Sequence, residues 1–187
     1  MATAPAMFAR YFALHIQIDK VEKGVYYHFD DQEVLKPCHL TKMRCIEELE
    51  DIEHRSKVLI SEIHIVDDKP RVDFPIERWV KVLDKKGRTV YNEFFNFIIA
   101  HLDNSGLLLE ITSPFTDDRL FGLLNRIAFE SVRMIYTGTT TNAFLKAQMN
   151  FGKLKKLVLL DKWPAENMVF LEGIGVNCDL VCSQCLS

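Results

Sequence analysis

Glycine is scarce in this chain, with 8 among 187 residues, and the eight are dispersed. That excludes a Gly-rich phosphate loop: the nearest approach, "GIG" at 173–175, lacks a third glycine and a suitable preceding strand, so nucleotide binding has no support. A surplus of positive charge is missing as well, since 23 basic residues against 26 acidic ones give a formal net charge of -3. No overall electrostatic footprint for nucleic acid or an anionic membrane results, and neither is expected as a partner. Long apolar runs are absent; "FFNFIIA" from Phe94 is far too short to span a bilayer. The opening "MATAPAMFARYFALHIQI" has no basic n-region and is interrupted by Arg10 and His15, so it fits a cleaved signal peptide poorly.

Paired cysteines are lacking too. The five thiols, Cys38, Cys45, Cys178, Cys182 and Cys185, are odd in number and unevenly spread, which points to reduced thiols in an intracellular compartment, cytoplasm or nucleus. The stretch "CDLVCSQC" at 178–185 has the CxxxCxxC spacing by which radical-SAM enzymes hold a cluster, but that chemistry needs a barrel after the motif. A structural zinc needs a fourth ligand, and His39 with Cys38 or Cys45 is more than 130 residues away. Prenylation requires the cysteine fourth from the end, and Cys185 is third. Cys178, Cys182 and Cys185 are thus the candidate metal ligands. The preferred reading has Cys178 and Cys182 one helical turn apart, packing as small hydrophobes beside Leu180 and Val181. No metal and no cofactor is expected.

What is present is regular patterning, with 48% hydrophobic residues, enough for one domain with a sizeable core. "YFALHIQID" and "VYYHFD" alternate with period two around a glycine-containing link, which predicts a hairpin burying Phe12, Leu14, Ile16 and Ile18. His15 and His28 would meet across it on the opposite face, as a solvated surface pair. Met43, Ile46, Leu49 and Ile52 recur as on an amphipathic helix, and "VLISEIHIV" at 58–66 reads as a strand. These elements make an N-terminal part, 8–66, followed by a mixed segment, 67–88, where Pro75 would break a ladder. From Thr89 a helix carries Phe94, Phe97, Ile98, His101 and Leu102 and stops at Asn-Ser-Gly.

Three strands then recur every 25 residues, "LLLEI" from Leu107, "VRMIY" from Val132 and "LVLLD" from Leu157. Helical patterns lie between them, first Leu120, Leu123, Leu124 and Ile127, then Ala143, Phe144 and Ala147. A strand-turn-helix unit of this period predicts an α/β, leucine-rich-repeat-like solenoid over 89–175, preceded by the N-terminal hairpin and helix and followed by a cysteine-containing tail, 176–187. The alternative is a compact layered α/β or α+β domain. In the repeat register Leu109, Met134 and Leu159 should stand level on adjacent strands.

The blocks "NSGLLLEITSPFTDDRLFGLL" and "FGKLKKLVLLDKWP", the latter with an LxxLxLxxxWP pattern, resemble an expanded nematode protein family similar to the FTH-type domains that follow F-boxes. The resemblance covers residues 8 to 172. It implies a leucine-rich-repeat-like module that recruits substrates to a ubiquitin ligase. No F-box is recognisable before Met7, where its helices would not fit, so the expected function is a non-catalytic protein-interaction module without the adaptor half. A small Cys/His metalloprotein or enzyme of unknown reaction is the alternative. The expected interaction surface is Trp163, Met168, Phe170 and Leu171, with an exposed apolar flank near the last three that either pairs two copies into a homodimer or docks another protein. Trp163 also reads as core cover.

Overall fold

The alternation of "ARYFALHIQI" is that of a half-buried strand, and in the structure, a computed structural model describing residues 8–18, 25–31, 45–66, 80–82, 88–114, 118–138, 140–164, 167 and 179–182, it forms one. Strand β1 (Ala9–Ile18) pairs antiparallel with β2 (Val25–Asp31), setting Leu14 opposite Phe29 and Ile16 opposite Tyr27. Helix α1 (Ile46–Glu53) follows, with Leu49 fully buried and Glu47 and Glu48 in its first turn, where carboxylates favour the exposed amide end. Met43 lies outside the described residues. Strand β3 (Lys57–Val66) then runs parallel to β1.

β3 carries a one-residue bulge. Phe12 stands opposite Ile60 but Ala13 opposite Glu62, so Ser61 is the extra residue. Because of it, Val58 and Ile60 before the bulge and Ile63 and Ile65 after it all reach the core. The bulge also marks a change of partner. Ile60 bonds the 101–103 segment, through its amide to the His101 carbonyl (2.7 Å) and its carbonyl to the Asp103 amide (2.8 Å). Beyond it, Glu62 to Ile65 pair with β5 (Leu108–Ile111).

Within the mixed segment, β4 (Val80–Lys81) pairs antiparallel with β2, and α2 (Arg88–Ala100) buries Phe94, Phe97 and Ile98 as the helical spacing predicts. Helix α3 (Asp118–Leu124), strand β6 (Ser131–Met134), helix α4 (Thr140–Phe151) and strand β7 (Lys156–Leu159) follow. Strand β8 (Asp179–Cys182) is last. The class is mixed α/β, and the described residues form one eight-stranded sheet in the order β4-β2-β1-β3-β5-β6-β7-β8. All pairs from β1 to β8 on that side are parallel. Among the described residues no helix is long and apolar enough to cross a membrane.

Three expectations need correction. Leu109 stands level with Val132 and Leu157, while Met134 and Leu159 stand level with Ile111. The first step is therefore 23 residues and the second 25. A slip of two leaves every side chain on its own face, so the apolar pattern cannot register it. In α4 the buried face is Thr141, Phe144, Leu145 and Gln148, whereas Ala143 is exposed. The tail is not helical at Cys182: Asp179–Cys182 is a strand parallel to β7, Leu159 lies opposite Cys182, and Leu180 packs on the core.

The apolar residues of β1, β2, β3, β5, β6 and β7 form one cluster with Leu49 of α1, Phe94, Phe97 and Ile98 of α2, Leu120, Phe121, Leu123 and Leu124 of α3, and Phe144 and Leu145 of α4. Tyr27 meets Phe94 at 4.7 Å and Phe29 meets Phe97 at 5.7 Å between ring centres. Burial pushes the Tyr27 phenol up to about 12.

Gln148 is a polar residue fully buried in α4. Its Oε1 accepts from the Phe129 amide (3.0 Å), and its Nε2 donates to the Ile127 carbonyl (2.9 Å) and more weakly to Leu124 (3.4 Å). One side chain so satisfies the irregular backbone between α3 and β6. Replacing it with Leu keeps the volume but strands those groups, and the expected loss is about 2–4 kcal/mol in urea unfolding. A loss below about 0.5 kcal/mol would mean that water replaces the amide fully.

Candidate functional site

Because all four described helices bury their side chains in the one apolar cluster, the opposite face of the sheet carries no described helix. Alternation places polar residues there, and pairing lines them into a row across five strands. His28 of β2 stands opposite His15 of β1, His15 opposite His64 of β3, His64 opposite Glu110 of β5, and Glu110 opposite Arg133 of β6.

The three imidazoles stack. His15 lies 4.5 Å from His28 with the rings 8° from parallel, and 4.8 Å from His64 at 13°. His64 is also held in its own plane, with Nδ1 2.9 Å from Glu110 Oε2 and Nε2 2.7 Å from Glu62 Oε2. A carboxylate can only accept, so both bonds form together when both ring nitrogens carry hydrogen. Arg133 Nη1 approaches the other Glu110 oxygen at 3.4 Å and ends the chain of charges.

His28 differs from its neighbours in being sealed, with 1% of its surface exposed. Burial, and after it the charge of His64, pushes its pKa down to about 4. The expectation of a solvated His15–His28 pair is therefore corrected for His28.

This geometry does not suit a metal. Imidazole donates to a metal along a lone pair in the ring plane, and face-to-face rings direct those lone pairs side by side instead of toward one point. Among the described residues no group of three His, Cys, Asp or Glu side chains has metal-holding geometry. The thiol of Cys45 is not activated either: burial pushes it up, opposite to what a nucleophile needs.

Trp163 is half-buried just beyond β7. Its Nε1 donates to the Leu160 carbonyl (3.1 Å), and its ring meets Tyr136 edge-on at 5.6 Å. The LxxLxLxxxWP pattern has a packing sense here, since Leu154, Leu157 and Leu159 are all core. Met168, Phe170 and Leu171, with Cys178, Cys185 and His39, lie outside the described residues, and Cys182 is placed by its backbone at the edge of the sheet. The sequence reading missed His64, Glu62, Glu110 and Arg133 as neighbours of the histidine pair. The signal was "LHI" at 14–16 against "IHI" at 63–65, a histidine between apolar residues in two predicted strands.

Compared with protein-family models, with curated proteins and with solved structures, the chain matches none.

In an NMR titration of the ring Cε1 protons, His28 should be neutral through the physiological range and change only near pH 4. A midpoint near the ordinary value of about 6.5 would show that water reaches this ring.

Proposed function

We propose that this chain is a non-catalytic protein-interaction module, built as a short strand-turn-helix solenoid whose sheet face opposite the described helices receives a protein partner. The observation that carries this reading is the strand order, which advances in one direction from β1 through β3, β5, β6 and β7 to β8. Crossovers of one hand that always advance the same way put the described helices on the same side, and the other side carries no described helix. The near-equal steps from Leu109 to Val132 to Leu157 to Leu180 support the same reading. So does the resemblance to F-box-associated domains, which makes substrate recruitment the kind of role to look for.

The open face favours a partner with charges of both signs. Glu110 lies beside Arg133, while Glu62, Ser131 and Lys156 share the next row. Such mixed patterns confer orientation and specificity more than raw affinity.

Charge reversal is the direct test. The double variant Arg133→Glu, Lys156→Glu should lose a cross-linked protein that wild type captures, by tenfold or more, whereas Arg126→Glu at the end of α3 should keep it. Equal capture by both variants would remove the open face from the reading. Elemental analysis separates the metalloprotein alternative: purified protein should hold well under one equivalent of zinc or iron, and the Cys178, Cys182, Cys185→Ser triple variant should keep its thermal midpoint. A full equivalent lost in that variant would replace this proposal with a metal site.

A further inference from the structure

We propose that the sheet face opposite the described helices pairs with the same face of a second copy of this chain, about a two-fold axis that runs along the strands between β5 and β6. This rests on the reading of that face as a protein-binding surface, and it names the partner.

The basis is a division of charge across the strands. In the row that begins at Glu62 of β3, the following positions are Leu108 of β5, Ser131 of β6 and Lys156 of β7. The next row runs from His64 through Glu110 and Arg133 to Val158. Both carboxylates therefore stand on β3 and β5, and both permanent cations on β6 and β7. Arg133 and Lys156 are exposed, so the basic half is within reach of another molecule.

The two halves are mirror-placed about the β5–β6 gap. Neighbouring strands are about 4.8 Å apart, so Glu110 and Arg133 lie equally far on either side of the gap, and Glu62 and Lys156 one strand further out. A two-fold axis along the gap, in the plane between two copies, exchanges the sides and keeps the rows. Arg133 then comes over Glu110 of the second copy, and Lys156 over its Glu62. Each contact is made twice, as an isologous interface requires. Moving the axis by one strand, to the β6–β7 gap, sets Arg133 over Val158 and Lys156 over Ser131, and the match is lost.

The other positions accept the same arrangement. Leu108 falls over Ser131, Val158 over His64, and one row on Val66 over Leu160. Asp179 of β8, beside Lys156, overhangs β1 of the second copy, where Ala13 holds the same row and brings no like charge. Arg133 Nη1 is 3.4 Å from Glu110 of its own chain, so most of the guanidinium donors remain for a second carboxylate. Glu62 engages His64 through Oε2, and its Oε1 is the oxygen offered to the lysine. Twisted sheets pack face to face with strands nearly aligned and about 10 Å apart, which this axis permits. Five strands of three outward positions cover about 20 by 15 Å, so the pairing is expected to be reversible and strongest at low salt.

Sedimentation equilibrium of the full chain tests the pairing. Wild type should associate between micromolar and millimolar concentration at low salt and separate at high salt. Lys156→Glu and Glu62→Lys should each weaken association tenfold or more, because like charges then face each other across the axis. An equimolar mixture of these two variants should regain wild-type association, since both contacts in the mixed pair join unlike charges. Arg126→Glu, at the end of α3, should leave association unchanged. A strictly monomeric wild type, or a mixture no better than its components, would overturn the self-pairing. Loss of a different captured protein in Arg133→Glu, Lys156→Glu, from a chain that stays monomeric, would also overturn it while keeping the protein-interaction reading. Should Glu62→Lys fail to fold, Glu62→Gln keeps an acceptor for His64: added to Lys156→Glu it should restore part of the lost association, and no restoration would count against the pairing.

Discussion

A single apolar layer carries the structure. It runs without interruption from Tyr27 and Phe29 of β2, under the α2 phenylalanines, to Leu157 and Leu159 of β7, and every described helix contributes to it. Strands alternate their side chains between two faces, so committing one face of the sheet to this layer leaves the other with whatever the alternate positions hold. Here they hold histidines, carboxylates and basic residues. The polar row is thus a by-product of the same alternation that builds the core, and its residues are brought into line by the pairing register alone.

That origin explains the character of the row. Imidazole is flat and only weakly polar when neutral, so it can stack across strands as an aromatic ring does, yet it becomes a cation with one proton. Between β2 and β5 the row passes from a sealed neutral ring, through a ring stacked on both sides, to a ring bonded at both edges by carboxylates. Three copies of one side chain so meet three environments within a few ångströms. Their neighbours, and not their chemistry, separate them.

The sequence is legible where a local period decides the outcome. The hairpin, α1, β3, α2 and the strands β5 to β7 all follow from periods of two or of about 3.6 residues. It is silent where the outcome depends on a partner far along the chain. The two-residue slip between β5 and β6 preserves sidedness and so leaves no trace in the apolar pattern. Gln148 looks like a surface residue until the loop it bonds is in place, and "DLVC" looks like a tail until β7 offers it an edge. The meeting of His15 and His28 across the hairpin was readable from the alternation. The arrival of His64 was not, because it requires β3 to lie on the far side of β1.

The bulge at Ser61 has a consequence for what changes this chain tolerates. Ahead of it the inward residues of β3 are even-numbered, and beyond it they are odd-numbered. Sidedness in β3 is thus counted from two origins, one set by the 101–103 segment and one by β5. A substitution at Ser61 alters one side chain and leaves the kink in place. Deletion of Ser61 would join Ile60 to Glu62 in one unbroken alternation, with Ile63 and Ile65 still inward and His64 still outward, because those residues already face consecutive residues of β1. A straight strand that kept Ser61 would instead turn His64 toward the apolar layer, so the kink is what lets a surplus residue sit in this strand without exchanging its two faces.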